Sequence, residues 1–179
     1  MPSASARFFK AQIRQCERQI KQIEEQIAQT CKEDADLALG LELLKSIPGI
    51  GQITAATVLA ILPPLDQIQS ARPLAAFAGV TPCQKQSGNS RGKTRMSKLG
   101  HARLRKVLYM PAVAALRFNP RAQALAQRLA AKGKCKMVII GAVMRLLTHL
   151  IFGVLKNRAP FDPNHLEAGI AGKTAAGRL

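Results

Sequence analysis

Residues 86–106, QSGNSRGKTRMSKLGHARLRK, hold two serines three positions apart, glycines beside them, a run of cations and no acid. A serine that attacks a phosphodiester needs an exposed loop, cations to hold the phosphate, and a group to take its proton. Ser87 is followed by Gly88 and Ser90 by Arg91, with Lys93, Arg95, Lys98, Arg103 and Arg105 behind them. The loop and the clamp are therefore present, and on residue type alone either serine qualifies. An ordinary solvated basic loop leading into a helix fits the same residues. The missing part is the base or metal: residues 67–161 contain no Asp or Glu that could hold Mg²⁺, so no metal ligand is expected in this chain. His101 is the one nearby base, and it also suits a helix start that touches phosphate or solvent.

The charge of the whole chain points the same way. Lys and Arg number 27 against 10 Asp and Glu, a formal charge of +17 over 179 residues. Such self-repulsion is relieved by a polyanion, which makes nucleic acid the leading partner and an anionic membrane surface the competitor. Aromatic residues are only 4%, too few for a single-strand stacking platform, so backbone contact to a duplex is expected. Cys16, Cys31, Cys83 and Cys135 show no paired spacing, which argues against a zinc site or a disulfide framework and for a reducing cytoplasm. The apolar run MVIIGAVMRLLTHLIFGVLK is interrupted by Arg145 and His149 and reads as a buried helix, without a membrane partner.

A second motif can meet phosphate. LLKSIPGIGQITAATVLAIL, residues 43–62, has the pattern of a helix-hairpin-helix. Gly49 and Gly51 would let the backbone approach a phosphate, Ile50 would plug the gap between the helices, and the amides opening the second helix would face the anion. An ordinary helical hairpin with glycine at its turn is the plain alternative.

Elements must hold these two motifs. Phe9, Ile13, Cys16, Ile20, Ile23 and Ile27 recur at spacings of four and three, a heptad seam flanked by Gln, Glu, Arg and Lys. This predicts a coiled-coil helix over residues 1–36 that pairs with another helix or a second copy, a homo-oligomer being favoured; an amphipathic helix docked on its own domain is the plain alternative. Residues 37–161 are expected to form a compact helical domain, with breaks at Pro63-Pro64 and Asn119-Pro120 and a kink at Pro111. Within it, residues 79–100 carry five Gly or Pro positions and read as loop or short extended structure, with no clear strands. Residues 162–179 read as a disordered tail. The fold class is mainly α.

The order of these features resembles the C-terminal half of the bridge-RNA-guided insertion-sequence transposases. A heptad helix runs into LLKSIPGIGQITAATVLAIL, then LAAFAGVTPCQKQSGNSRGKTRMSKLGHARLRKVLYMPAVAAL, then GKCKMVIIGAVMRLLTHLIFGVLK. The resemblance implies a helical transposase domain whose nucleophile is the serine of the Ser-Gly pair after Ala-Gly-x-x-Pro, which falls here on Ser87 and not on Ser90. It implies that Ser87 attacks a DNA phosphate and holds the strand as a phosphoserine, with double-stranded DNA and a structured guide RNA as partners. It also implies an acidic RuvC-like domain carrying a DEDD set for Mg²⁺ ahead of the coiled coil, in an oligomer of the bacterial cytoplasm and nucleoid. This chain starts at the coiled coil, so the expectation is a serine half-site that needs carboxylates from elsewhere. The rivals are a truncated, inactive nucleic-acid-binding module and a basic structural protein.

Overall fold

The computed structural model describes residues 4–84, 86–87, 90–91 and 94–163. The chain is mainly α-helical and divides into two units, one ending at Leu39 and one beginning at Gly40.

In the first unit, α1 runs over Ala4–Glu33, 30 residues and about 45 Å long. None of its described residues is buried, and Ile13, Ile20 and Ile23 are each more than half exposed. Asp34 ends it: its Oδ1 accepts from the backbone N–H of Asp36 (2.9 Å) and Leu37 (3.1 Å), capping the start of α2, Ala35–Lys45.

The second unit is a helical packing around α8, Lys136–Asn157. Helices α3 (Gln52–Ile61), α4 (Ala71–Phe77), α5 (Ala102–Val107), α6 (Tyr109–Phe118) and α7 (Pro120–Ala131) complete it, and α4, α6 and α7 pack directly on α8. Val143, Leu147, Ile151 and Val154 of α8 are buried, as are Leu44, Ile47, Val58, Leu74, Leu104 and Leu108 of the other elements. By length and composition α8 is also the one described helix that could cross a membrane. Its Ile139-to-Val154 face is buried among the other helices, which is what a core helix requires.

Proline sets two boundaries. Pro111 has no N–H to donate to the Val107 carbonyl, and its ring would collide with it, so the helix breaks there and not at Pro111 itself. The expected kink is thus a full break after Val107, with Pro111 in the first turn of α6, where the missing donor costs nothing. At the second boundary, Asn119 is fully buried and its Oδ1 accepts from the N–H of Arg121 (3.0 Å) and Ala122 (3.3 Å), capping α7. Its Nδ2 donates to the Pro48 carbonyl at 3.5 Å, so one side chain joins the α2–α3 turn to the α6–α7 corner. Asn119→Ala removes the cap and strands buried backbone groups, a loss of about 2–3 kcal/mol. In a domain of this size that is on the order of 10 °C in thermal midpoint; Asn119→Ser, which keeps an oxygen for the cap, should lose less in the same melting experiment.

A cavity of about 310 Å³ lies between α7, α8 and residues 159–162, lined in part by Arg121, His149, Asn157 and Asp162. The Nε2 atom of His149 is buried without a hydrogen-bond partner among the described residues. Its pKa is lowered first by that burial and then by the nearby charges of Arg145 and Arg72. A histidine held below its unfolded value of about 6.5 favours the folded state above that pH, and the contribution is lost as pH falls through the window below it. Denaturant midpoints should therefore drop between pH 7.5 and 5.5, and His149→Gln should remove part of the drop.

Candidate functional site

The serine segment is built from its feet upward. Gly79 closes α4 in the left-handed region (φ +68°), with its N–H on the Ala76 carbonyl (2.9 Å) and the Val80 N–H on that of Ala75 (3.0 Å). Gly100 (φ +137°) lies against it: a Cβ there would stand 2.7 Å from the Ala76 carbonyl oxygen and 2.8 Å from the Gly79 nitrogen. Only two glycines allow the incoming and outgoing chains to meet so closely. The crossing is tied by the Lys98 N–H on the Gly79 carbonyl (3.1 Å), the Ser97 N–H on Thr81 (2.9 Å) and the His101 N–H on Phe77 (2.6 Å).

Above these feet the chain is a β-ribbon. Strand β1 (Pro82–Cys83) pairs antiparallel with β4 (Arg95–Met96), and β2 (Gln86–Ser87) pairs with β3 (Ser90–Arg91). These two-residue pairings are the short extended structure expected of residues 79–100. The two pairs are separated in sequence by two residues between Cys83 and Gln86 and by three between Arg91 and Arg95. The register sets Ser87 directly opposite Ser90 and Gln86 opposite Arg91. Both candidate serines therefore sit at the far end of the hairpin, joined by Gly88-Asn89.

The expected cations divide in two. Arg95, Lys98 and Arg103 are exposed on or beside the ribbon's base. Arg91 lies in β3, opposite Gln86; Lys93 and the tail from residue 164 onward lie outside the described residues. Arg105 has a different task from its expected place among free phosphate contacts. Its Nη1 donates to the carbonyls of Lys98 (3.1 Å) and Ala78 (3.4 Å), clasping the two feet of the hairpin. His101 is likewise committed: its Nδ1 accepts the Leu104 N–H at 3.2 Å to cap α5, and its ring stacks on Phe77 at 5.6 Å. It is thus a poor source of the missing base. The helix-start place of His101 is one of the two roles expected of it; the clasp of Arg105 on Ala78, 27 residues away, is not visible in the sequence.

The second motif packs beside the first. Helices α2 and α3 are joined through the turn at Ser46–Gly51, and α3 packs on α5, the helix that carries Arg103 and Arg105. Ile50 is buried. Gly49 (φ +106°) faces α6, where a Cβ would come within 2.9 Å of the Pro111 carbonyl oxygen and 3.0 Å of the Ala115 nitrogen. Its bare side is therefore taken by helix packing and is not open to a phosphate. Gly51 differs: nothing lies within 4 Å of where its Cβ would be, and it precedes the first turn of α3 without a side-chain cap. The backbone at Gly51 and the first amides of α3 face open space.

Among the described residues no three His, Cys, Asp or Glu side chains converge, and the hairpin's own stretch is free of acids. What this arrangement offers by itself is a serine at a hairpin tip, a cationic base and an open helix start.

Comparison with known proteins places this geometry. Residues 41–127 match the family described as Transposase IS116/IS110/IS902, a span that runs from α2 through the hairpin into α7. The chain is 38% identical over 122 residues to the pilin gene-inverting protein of Moraxella lacunata, covering 67% of this chain and 38% of that protein. It is 40% identical over 74 residues to the transposase of insertion sequence element IS1111A from Coxiella burnetii, 41% of this chain and 20% of the relative. It is 27% identical over 128 residues to the 43.6 kDa protein of insertion element IS110 from Streptomyces coelicolor, 72% and 31% of the two chains. The chain thus spans less than two fifths of the length of these relatives. With the serine hairpin inside the matched span, and relatives named for insertion elements and their transposition, the chain belongs to the IS116/IS110/IS902 transposase family.

Proposed function

We propose that this chain is the nucleophile-bearing part of a DNA transposase, with Ser87 attacking a DNA phosphate. The single observation that carries the reading is the hairpin: clasped at its feet by Arg105, it pairs Ser87 with Ser90 in its outer strands, with Arg95, Lys98 and Arg103 exposed nearer its base. Relatives named for transposition and for gene inversion support DNA rearrangement as the process.

In the proposed step the Ser87 Oγ forms a bond to phosphorus, and the bond from phosphorus to one strand oxygen breaks. That oxygen leaves as a hydroxyl, and the serine proton passes to a base. The phosphodiester energy is kept in the serine ester, so a hydroxyl from another strand can reverse the step and join to a new partner. The cations neutralise charge that develops on the phosphate oxygens. The proton acceptor comes from outside the acid-free stretch, since His101 is spent on its cap. Carboxylates on an acidic RuvC-like domain, with their Mg²⁺, would meet this need. Backbone amides at Gly51 and the first turn of α3 would hold a second phosphate without reading sequence.

The test is to supply the acidic domain of a full-length relative in trans, with Mg²⁺, guide RNA and supercoiled target DNA. A covalent protein–DNA adduct on this chain is expected; its absence, with the mixture active on a full-length control, overturns the reading. In that case the chain is a nucleic-acid-binding module without chemistry.

We further propose that α1 pairs with a second copy through its seam. Burying an isoleucine is worth about 1.5–3 kcal/mol. Replacing Ile20 and Ile23 with Glu should therefore weaken self-association by more than about 100-fold, read as a fall to monomer mass in sedimentation equilibrium. An unchanged mass would mean that the seam is not the contact.

A further inference from the structure

The turn between α7 and α8 is a strongly charged feature that the serine hairpin leaves unused. Residues 132–136 read Lys-Gly-Lys-Cys-Lys. Gly133 (φ +68°) ends α7, with its N–H on the Ala130 carbonyl (2.8 Å) and the Lys134 N–H on Leu129 (3.1 Å). Helix α8 then starts at Lys136, so Lys132, Lys134 and Lys136 are all presented on one tight corner. All three are exposed, as is Arg128 one turn earlier, and none forms an ion pair among the described residues. Joining two helices needs no lysines, and three ammonium groups within five residues repel one another unless an anion lies across them.

Position gives the anion its identity. The Met96 side chain of β4 reaches Gly141 of α8, with its Cε 2.9 Å from where a Cβ would be. Gly141 stands five residues beyond Lys136, about 7.5 Å of helix rise. The hairpin's β4 thus touches α8 in the first two turns after the lysine corner, and no acid lies between Gln67 and Phe161 to separate the two positive stretches.

We propose that the Lys132–Lys136 corner is a second phosphate-backbone contact for the nucleic acid held by the serine hairpin. The proposal rests on the nucleic-acid reading above and adds a site to it. The contact is to backbone, so it carries no base specificity.

Fluorescence anisotropy of the full chain with a mixed-sequence duplex, between 50 and 300 mM salt, tests this. The variants are the triple Lys132→Gln, Lys134→Gln, Lys136→Gln and the hairpin pair Arg91→Gln, Arg95→Gln. The triple variant should lower the log–log salt slope by about 2.7 and weaken binding on the order of 100-fold at 150 mM. Its melting curve should not move, because the lysines are exposed. DNA and RNA duplexes run in parallel show which backbone the corner meets; a slope loss on either supports the proposal. If the hairpin pair weakens binding while the triple variant keeps the wild-type slope on both duplexes, the corner is not a contact and the nucleic-acid reading stands. If the wild-type chain binds neither duplex, both fail. Loss of binding to phosphatidylserine vesicles with duplex affinity unchanged overturns the proposal in favour of a lipid surface.

Discussion

Ser87→Ala is expected to abolish covalent attachment to DNA in the complemented reaction, while Ser90→Ala keeps it. The two serines are paired across the end of one hairpin, so they share its position, its cations and its tether. Their difference therefore isolates the nucleophile from every feature that merely delivers it. Removing a nucleophile commonly costs 10³- to 10⁶-fold in rate, on the order of the whole chemical advantage of the site. Removing a neighbouring hydroxyl that only contacts phosphate costs far less. Both alanines fit the ribbon without new bulk, so folding and duplex affinity should stay near wild type in each. Equal loss in both variants would mean that the hairpin tip acts by shape, and retention in Ser87→Ala would move the chemistry elsewhere.

The second large effect is on binding. Arg91, Lys93, Arg95, Lys98 and Arg103 together would neutralise five phosphates and contribute about −4.5 to the slope of log affinity against log salt. Raising salt from 50 to 200 mM should then weaken duplex binding by about 500-fold or more. Arg105 is left out of this sum because its guanidinium clasps the carbonyls of Ala78 and Lys98. Its replacement by Gln should loosen the hairpin and slow the reaction without removing a full phosphate from the slope. Titrations at several salt concentrations separate the two roles. An affinity that does not change with salt would rule out backbone contact as the source of binding.

The helices of this protein were largely legible because each carries a local signal. Pro63-Pro64 ends α3 at Ile61, Asn119 and Pro120 open α7, and the 3.6-residue recurrence marks the buried face of α8. The pairing of the ribbon was not legible: strands of two residues are too short to show alternation. One signal was present, the Gly88-Asn89 pair between Ser87 and Ser90, a composition that two-residue hairpin turns favour. The serine, its glycine and the cations could be read from residue type, but their division of labour could not. Arg105 and Arg103 look alike in sequence; only the fold sets one on carbonyls and leaves the other exposed. Gly49 and Gly51 likewise look equivalent, yet one is packed against α6 and the other is open. Asn119 reads as a helix breaker, and its hold on Pro48, 71 residues away, is a property of the packed domain.

The most direct measurement is peptide mapping of the trapped protein–DNA adduct by mass spectrometry, after nuclease digestion leaves a nucleotide on the protein. The expected result is a nucleotide phosphate on Ser87, in wild type and in Ser90→Ala, and no adduct in Ser87→Ala. A nucleotide on Ser90, or on any residue outside the hairpin, would contradict it.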